Sequence, residues 1–195
     1  SQALRMGHFS DAQYRTFKEA RNAMRSLPLE IDERGGLTIG QLASKARRVK
    51  RKQGLDFIVI DYIQLMRGRG DNRVHDITII TEGLKALAKE LKVPVIALSQ
   101  LSRAVESRAV KRPLLSDLRE SGSIEQDADV ILFPYRAEYY LRLEGKTEDD
   151  SDTLREVAGT AELILGKWRH GPVGDFDVQF DAKTTTFRDG GNDER

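Results

Sequence analysis

At 195 residues and 39% hydrophobic, the chain can bury one core of ordinary size, so a single domain is expected. With 32 basic and 31 acidic residues the net charge is +1, which excludes a uniformly basic nucleic-acid binder and leaves room for local patches. No cysteine is present, which excludes disulfides and thiolate metal sites but not a metal held by oxygen.

No apolar run approaches the ~20 residues of a membrane span, and no signal peptide opens the chain, so a cytoplasmic protein without a membrane partner is expected. The opening SQALRMGHFS has no initiator Met and reads as the start of a piece cut from a longer protein.

Residues 10–26 read as a helix, with Ser10 as its N-cap, Tyr14, Phe17 and Met24 near one face, and Pro28 beyond its end. Residues 29–32, LEID, form a short strand candidate before the Gly35-Gly36 turn. Residues 37–54 read as a second helix, capped by Thr38, with Ile39, Leu42, Ala46 and Val49 at helical spacing. Its far end carries six basic residues between Lys45 and Lys52, a pattern that usually marks a solvated face.

A buried strand follows at 56–61, then the loop RGRGDNRVHD and a long helix from about residue 75 to 91. Residues 93–100, VPVIALSQ, form another buried strand with a polar end. A long polar segment leads to a strand at 129–135. Residues 144–158 are expected to be a mobile charged loop, and the chain closes with three hairpin-like strands. Continuous apolar strands separated by helices indicate an α/β fold with a mostly parallel sheet, covered by helices on both faces and extended by C-terminal antiparallel strands.

In such sheets ligands sit beyond the carboxyl ends of the strands. Two strands deliver polar residues there, Asp61 after FIVI and Ser99-Gln100 after VIAL. An acid at that edge can hold Mg²⁺ through its water shell, and a glutamine can sense a γ-phosphate or orient water. Alternatively, Asp61 caps a turn and Gln100 is merely solvated. The Gly-Lys-Thr at 145–147 is a decoy, since Tyr140 stands where the phosphate-loop pattern requires its first glycine.

Lys167 and Arg169 share a strand face and could project toward phosphates on a neighbouring subunit, or simply form a solvated strand end. Trp168 between them is expected to pack on the opposite face. Amides around Ser121-Gly122-Ser123, with Arg119, could grip a sugar–phosphate backbone without reading bases, or belong to an ordinary surface loop. His8, His75 and His170 lack zinc-ligand spacing.

Taken together, FIVIDYIQLM, LKALAKELKVPVIALSQLSR, KRPLLSDLRESGSIEQDADVILFPYR and GKWRHGPVG resemble the DnaB family of replicative DNA helicases, over residues 37–188. The resemblance implies a RecA-like ATPase domain, the motor of a hexameric ring that moves 5′ to 3′ along single-stranded DNA. It makes Asp61 the Walker B acid near Mg²⁺ and Gln100 the link between the γ-phosphate of ATP and the DNA loops. Lys167 and Arg169 become the pair offered to the adjacent subunit's ATP site, with Arg169 as arginine finger. Arg119, Glu120 and Gly122 match the loop that holds DNA, and Arg67, Arg69 and Arg73 lie where a second channel loop is expected. Primase and a helicase loader are the implied partners of the parent protein.

The family's phosphate loop and the glutamate that follows it are not among these residues, so the chain by itself is expected not to hydrolyse ATP. Two alternatives are a RecA/RadA-type recombinase and a catalytically dead binding module of the same family.

Overall fold

Ser10 opens the first helix, α1 (Asp11–Arg25), through a reciprocal cap: its hydroxyl accepts from the Gln13 amide at 3.3 Å, and the Gln13 side chain accepts from the Ser10 amide at 3.0 Å. The computed structural model describes residue 7 and residues 10–68, 72–147 and 152–190, excepting the side chains of 119–121. No residue of α1 is buried, and Tyr14, Phe17 and Met24 are exposed. This helix therefore buries no residue in the core, and its start is fixed by its cap.

The LEID strand does not form. Leu29 and Ile31 are exposed, and no neighbouring strand among the described residues offers them a ladder. The segment is tied down electrostatically, with Asp32 taking Arg34 at 2.7 Å and Lys45 at 3.2 Å. The hydrogen bond from Arg34 is the largest influence holding the Asp32 carboxyl well below the usual carboxylate range.

Helix α2 (Ile39–Gln53) repeats the capping logic with Thr38 and Gln41 and ends at Gly54, whose φ of 85° suits a residue without Cβ. Helix α3 (Arg73–Leu91) is capped by Asn72 and lays Ile77, Ile80, Leu84, Leu87 and Leu91 inward. Strands β1 (Ile58–Ile60) and β2 (Val95–Ala97) pair in parallel, Ile58 opposite Val95 and Ile60 opposite Ala97. Ile58, Ile60 and Val95 pack with Ala43 and Ala46 of α2 and Leu87 and Leu91 of α3.

This parallel pair was expected to be covered on both faces; among the described residues only one face is covered. Phe57, Val59, Ile96 and Leu98 are each about half exposed on the face away from α2 and α3. The alternation of a strand sends every second side chain to that face, and no described element lies over it.

After β2 come a short helix, α4 (Ala104–Ser107), a 3-10 segment (Leu115–Ser121) and helix α5 (Gly122–Asp127). Strand β3 (Val130–Tyr135) departs from expectation by joining an antiparallel sheet instead of the parallel one. The cause is β4 (Thr160–Trp168), nine residues long, which returns beside β3 with Val130 opposite Trp168 and Tyr135 opposite Glu162. Strands β5 (Gly174–Asp181) and β6 (Thr186–Asp189) complete the order β3-β4-β5-β6.

Between β3 and β4 lie helices α6 (Ala137–Leu143) and α7 (Asp152–Val157). Part of the charged loop expected over 144–158 is thus helical, because Leu154 is fully buried and gives α7 an inward face. Residues 148–151 lie outside the described residues. Glu138, in the first turn of α6, is buried, paired with Arg142 at 2.9 Å and Arg136 at 3.4 Å while accepting from the Gly159 amide at 3.1 Å.

Candidate functional site

The carboxyl ends of β1 and β2 are locked side by side. The Leu98 amide donates to the Ile60 carbonyl at 2.9 Å, and the Ile63 amide donates to the Leu98 carbonyl at 3.0 Å. Asp61, exposed and followed by a cis peptide bond to Tyr62, therefore leaves β1 at the edge where Ser99 and Gln100 leave β2. The two polar strand ends are brought together as the sequence indicated.

Gln64 was not anticipated. Its amide nitrogen donates to Ser99 Oγ at 2.9 Å, and its Oε1 accepts from the Gln100 backbone amide at 3.3 Å. It sits in a 3-10 turn (Ile63–Leu65) pinned by the buried Ile63. A lone polar residue inside the apolar run IQLM was the only trace of it in the sequence.

Among the described residues no group of three His, Cys, Asp or Glu side chains could cage a metal ion. Asp61 thus belongs to no such cluster among the described residues. That donor set fits Mg²⁺, which keeps most of its waters and takes only one or two protein carboxylates alongside phosphate oxygens.

From Gln100 the chain passes into a loop held by one buried carboxylate. Asp117 accepts both terminal nitrogens of Arg108, at 3.0 and 2.8 Å, and the Leu114 amide at 2.8 Å. The Ser102 amide donates to the Asp117 carbonyl at 3.0 Å. Arg112, at the far end of this loop, reaches the antiparallel sheet, pairing with Glu162 of β4 and with Asp175 of β5 at 2.7 Å. The strand end at Gln100 is thereby coupled to the segment 115–121. Periodicity could not reveal this, because the two arginines lie in irregular chain and their partners are distant in sequence or in a short 3-10 segment.

Lys167 and Arg169 also share one target. Lys167 Nζ donates to the carbonyls of Glu125 and Gln126, the latter at 3.4 Å, and Arg169 Nη2 donates to the Gln126 carbonyl at 3.0 Å. Cations here meet the unpaired carbonyls and negative dipole end of α5. Asp129 adds a carboxylate 3.4 Å from Arg169 Nε and pairs with Lys85 of α3, a partner not anticipated. Trp168 faces away from this pair and packs against the turn, where a Cβ on Gly171 would come within 2.4 Å of its ring.

The remaining candidates are dispersed. Gly122 begins α5 with open space around its Cα. The Arg119 and Glu120 side chains and all of Arg69 lie outside the described residues. Arg67 forms a bridge with Thr38, and its side chain lies against Gly36. Arg73 turns back to donate to the carbonyls of Gln64 and Met66, the latter at 3.4 Å, so here it braces the turn after Asp61.

The basic end of α2 is partly structural, since Arg47 pairs with Glu90 at 2.6 Å and Lys50 donates to the Leu91 carbonyl. The Gly145-Lys146-Thr147 decoy follows the end of α6, with Glu144 paired to Lys111. No described helix is long and apolar enough to cross a membrane.

Comparison with known proteins agrees with this geometry. The family model for the DnaB-like helicase C terminal domain matches residues 1–189. The replicative DNA helicase DnaB of Rickettsia prowazekii (strain Madrid E) is 47% identical, over 96% of this chain and 40% of that protein. The replicative DNA helicase DnaC of Bacillus subtilis (strain 168) is 43% identical, over 96% of this chain and 39% of its own length.

The chain thus spans about two fifths of these curated relatives. Among solved structures, the ATPase domain of G40P superposes with a TM-score of 0.83 at 37% identity, covering 96% of this chain and 64% of that one. A DnaB-like replicative helicase, solved in a study of its interactions with primase, gives 0.80 at 39% identity, covering 93% of this chain and 42% of that one. With a RecA-like α/β fold and a match over nearly its whole length, the chain belongs to the DnaB-like helicase C-terminal domain family.

Proposed function

We propose that the chain is the distal part of a replicative helicase motor, contributing the acid and the trans-acting cations of an ATP site but not its phosphate loop. The observation that carries this reading is the parallel β1–β2 pair, which sets Asp61 beside Ser99-Gln100 at one sheet edge. Asp61 would orient the Mg²⁺ of ATP, and Gln100 would report the γ-phosphate into the loop tied by Asp117. Lys167 and Arg169 would serve the site of the next subunit in a hexameric ring, with Arg169 stabilising charge in the transition state.

The open apolar face of β1 and β2 supports a missing layer. β2 and β3 also each keep a ladder edge without a partner strand among the described residues. A strand and helix carrying the phosphate loop, from the part of the relatives that this chain does not span, would cover both. Arg119, Glu120 and Gly122, with Arg67, Arg69 and Arg73, would face single-stranded DNA in the central channel, gripping backbone rather than bases. Cytoplasmic location and contacts with primase and a helicase loader belong to the same reading, and the family match favours it over a recombinase.

The test is made in full-length rings that carry this chain. Arg169→Ala should lower DNA-stimulated ATP hydrolysis by roughly a thousandfold or more, with hexamer assembly preserved. Unchanged turnover would refute the trans-acting role.

A further inference from the structure

Asp129 occupies a position that the proposed roles leave unused. It lies between α5 and β3, and three contacts converge on it. Its carbonyl accepts from the Arg169 amide at 2.8 Å, and its carboxylate lies 3.4 Å from Arg169 Nε and pairs with Lys85 of α3. Lys167 and Arg169 meanwhile rest on the Glu125 and Gln126 carbonyls at the end of α5, the helix that starts at Gly122.

We propose that Asp129 is a positioning residue for Arg169, fixing the guanidinium by its Nε edge so that it is offered to the neighbouring subunit in one orientation. This rests on the reading of Arg169 as a cation that acts in trans.

The physical case is a matter of charge and geometry. Lys85 and Arg169 flank one carboxylate, so neutralising that carboxylate leaves two like charges facing each other. Arg169 would then keep the Gln126 carbonyl, on a different nitrogen, while the charge that fixes the Nε edge of its planar fork is lost. Asp129 stays ionised at neutral pH, since the bond from Lys85 outweighs its partial burial and holds the carboxyl below its usual range. The contact also links the basic pair to α3 and to the end of α5. The chain segment expected to hold DNA therefore shares a short rigid path with the cations expected to reach ATP.

A misplaced transition-state donor lowers kcat more than ATP affinity. In full-length rings, Asp129→Asn should reduce kcat roughly tenfold while KM for ATP stays within about twofold, and Asp129→Glu should recover most of the loss. The decisive readout is subunit mixing. Asp129→Asn rings mixed equally with Asp61→Asn rings contain, in about a quarter of interfaces under random assembly, an intact Asp61 facing an intact Arg169 mount. Turnover of the mixture should exceed the mean of the two parent rings, as it should for an Arg169→Ala and Asp61→Asn mixture.

If only the Arg169→Ala mixture gains activity, Asp129 acts within its own subunit and the inference is overturned while the reading of Arg169 stands. If neither mixture gains, the trans role of Arg169 is itself refuted and the inference falls with it. An unchanged kcat in Asp129→Asn also overturns it.

Discussion

Replacing Asp117 with alanine removes the carboxylate that holds the loop between Gln100 and the 3-10 segment. Asp117 is 5% exposed and Arg108 is 31% exposed, so the pair is mostly dry on the acid's side and partly wet on the base's side. Removing one member of a fully buried pair costs about 3–5 kcal/mol, and water reaching Arg108 brings this down to about 2–3 kcal/mol. The orphaned Leu114 amide adds about 1 kcal/mol.

Arg108 Nε already lacks a partner, so no alternative arrangement compensates nearby. The total, about 3–4 kcal/mol, corresponds to a melting temperature lower by roughly 10 °C for a domain of this size. Urea denaturation with a double-mutant cycle is the assay, pairing Asp117→Ala with Arg108→Met. The coupling energy should be at least about 1.5 kcal/mol at unchanged m-value. A coupling below about 0.5 kcal/mol would mean that the bidentate geometry contributes no more than an exposed ion pair, and the reasoning would fail.

Two further outcomes follow from the packing. Burial alone would raise the Glu138 carboxyl, but the hydrogen bonds from Arg142 and the Gly159 amide, together with Arg136, outweigh it and the net shift is downward. A depressed folded-state value stabilises the fold above the unfolded value of about pH 4.3 and loses that contribution as pH falls through the folded value. Glu138→Gln should therefore destabilise at neutral pH, with the difference from the parent shrinking below about pH 4 in acid titrations of stability; a difference constant with pH would contradict the assignment. Gly83 lies within α3, where alanine ordinarily gains about 1 kcal/mol, but an added Cβ would come within 2.5 Å of Ile39 Cγ1. Gly83→Ala should lower stability by about 1–3 kcal/mol in thermal melts, the usual cost of overpacking, and a raised melting temperature would show that α2 yields freely.

The sequence made the parts with a local cause legible. Ser10 and Thr38, each followed three residues later by glutamine, announced the starts of α1 and α2. FIVID and VIALSQ announced the two strand ends that meet at the site. The long-range parts were not legible. Nothing in DVILFPY says whether its partner runs parallel or antiparallel; that depends on β4 returning after a 24-residue excursion from residue 136 to 159.

The α7 helix was hidden because its charged surroundings outweighed the single inward Leu154. Gln64, Asp117 and Asp129 act through partners 9 to 44 positions away, a distance over which no periodic pattern operates. LEID failed for the opposite reason, having the alternation of a strand but no neighbour to pair with among the described residues.

The central claim is that Asp61 serves an ATP site completed by residues outside this chain. Its most direct test is Mg²⁺-dependent ATP hydrolysis by the 195-residue chain alone, beside a longer protein that adds the phosphate-loop segment which the proposed function calls for. The account expects no turnover from the chain alone and robust turnover from the longer protein, abolished by Asp61→Ala. Hydrolysis by the chain alone, lost on Asp61→Ala, would contradict it.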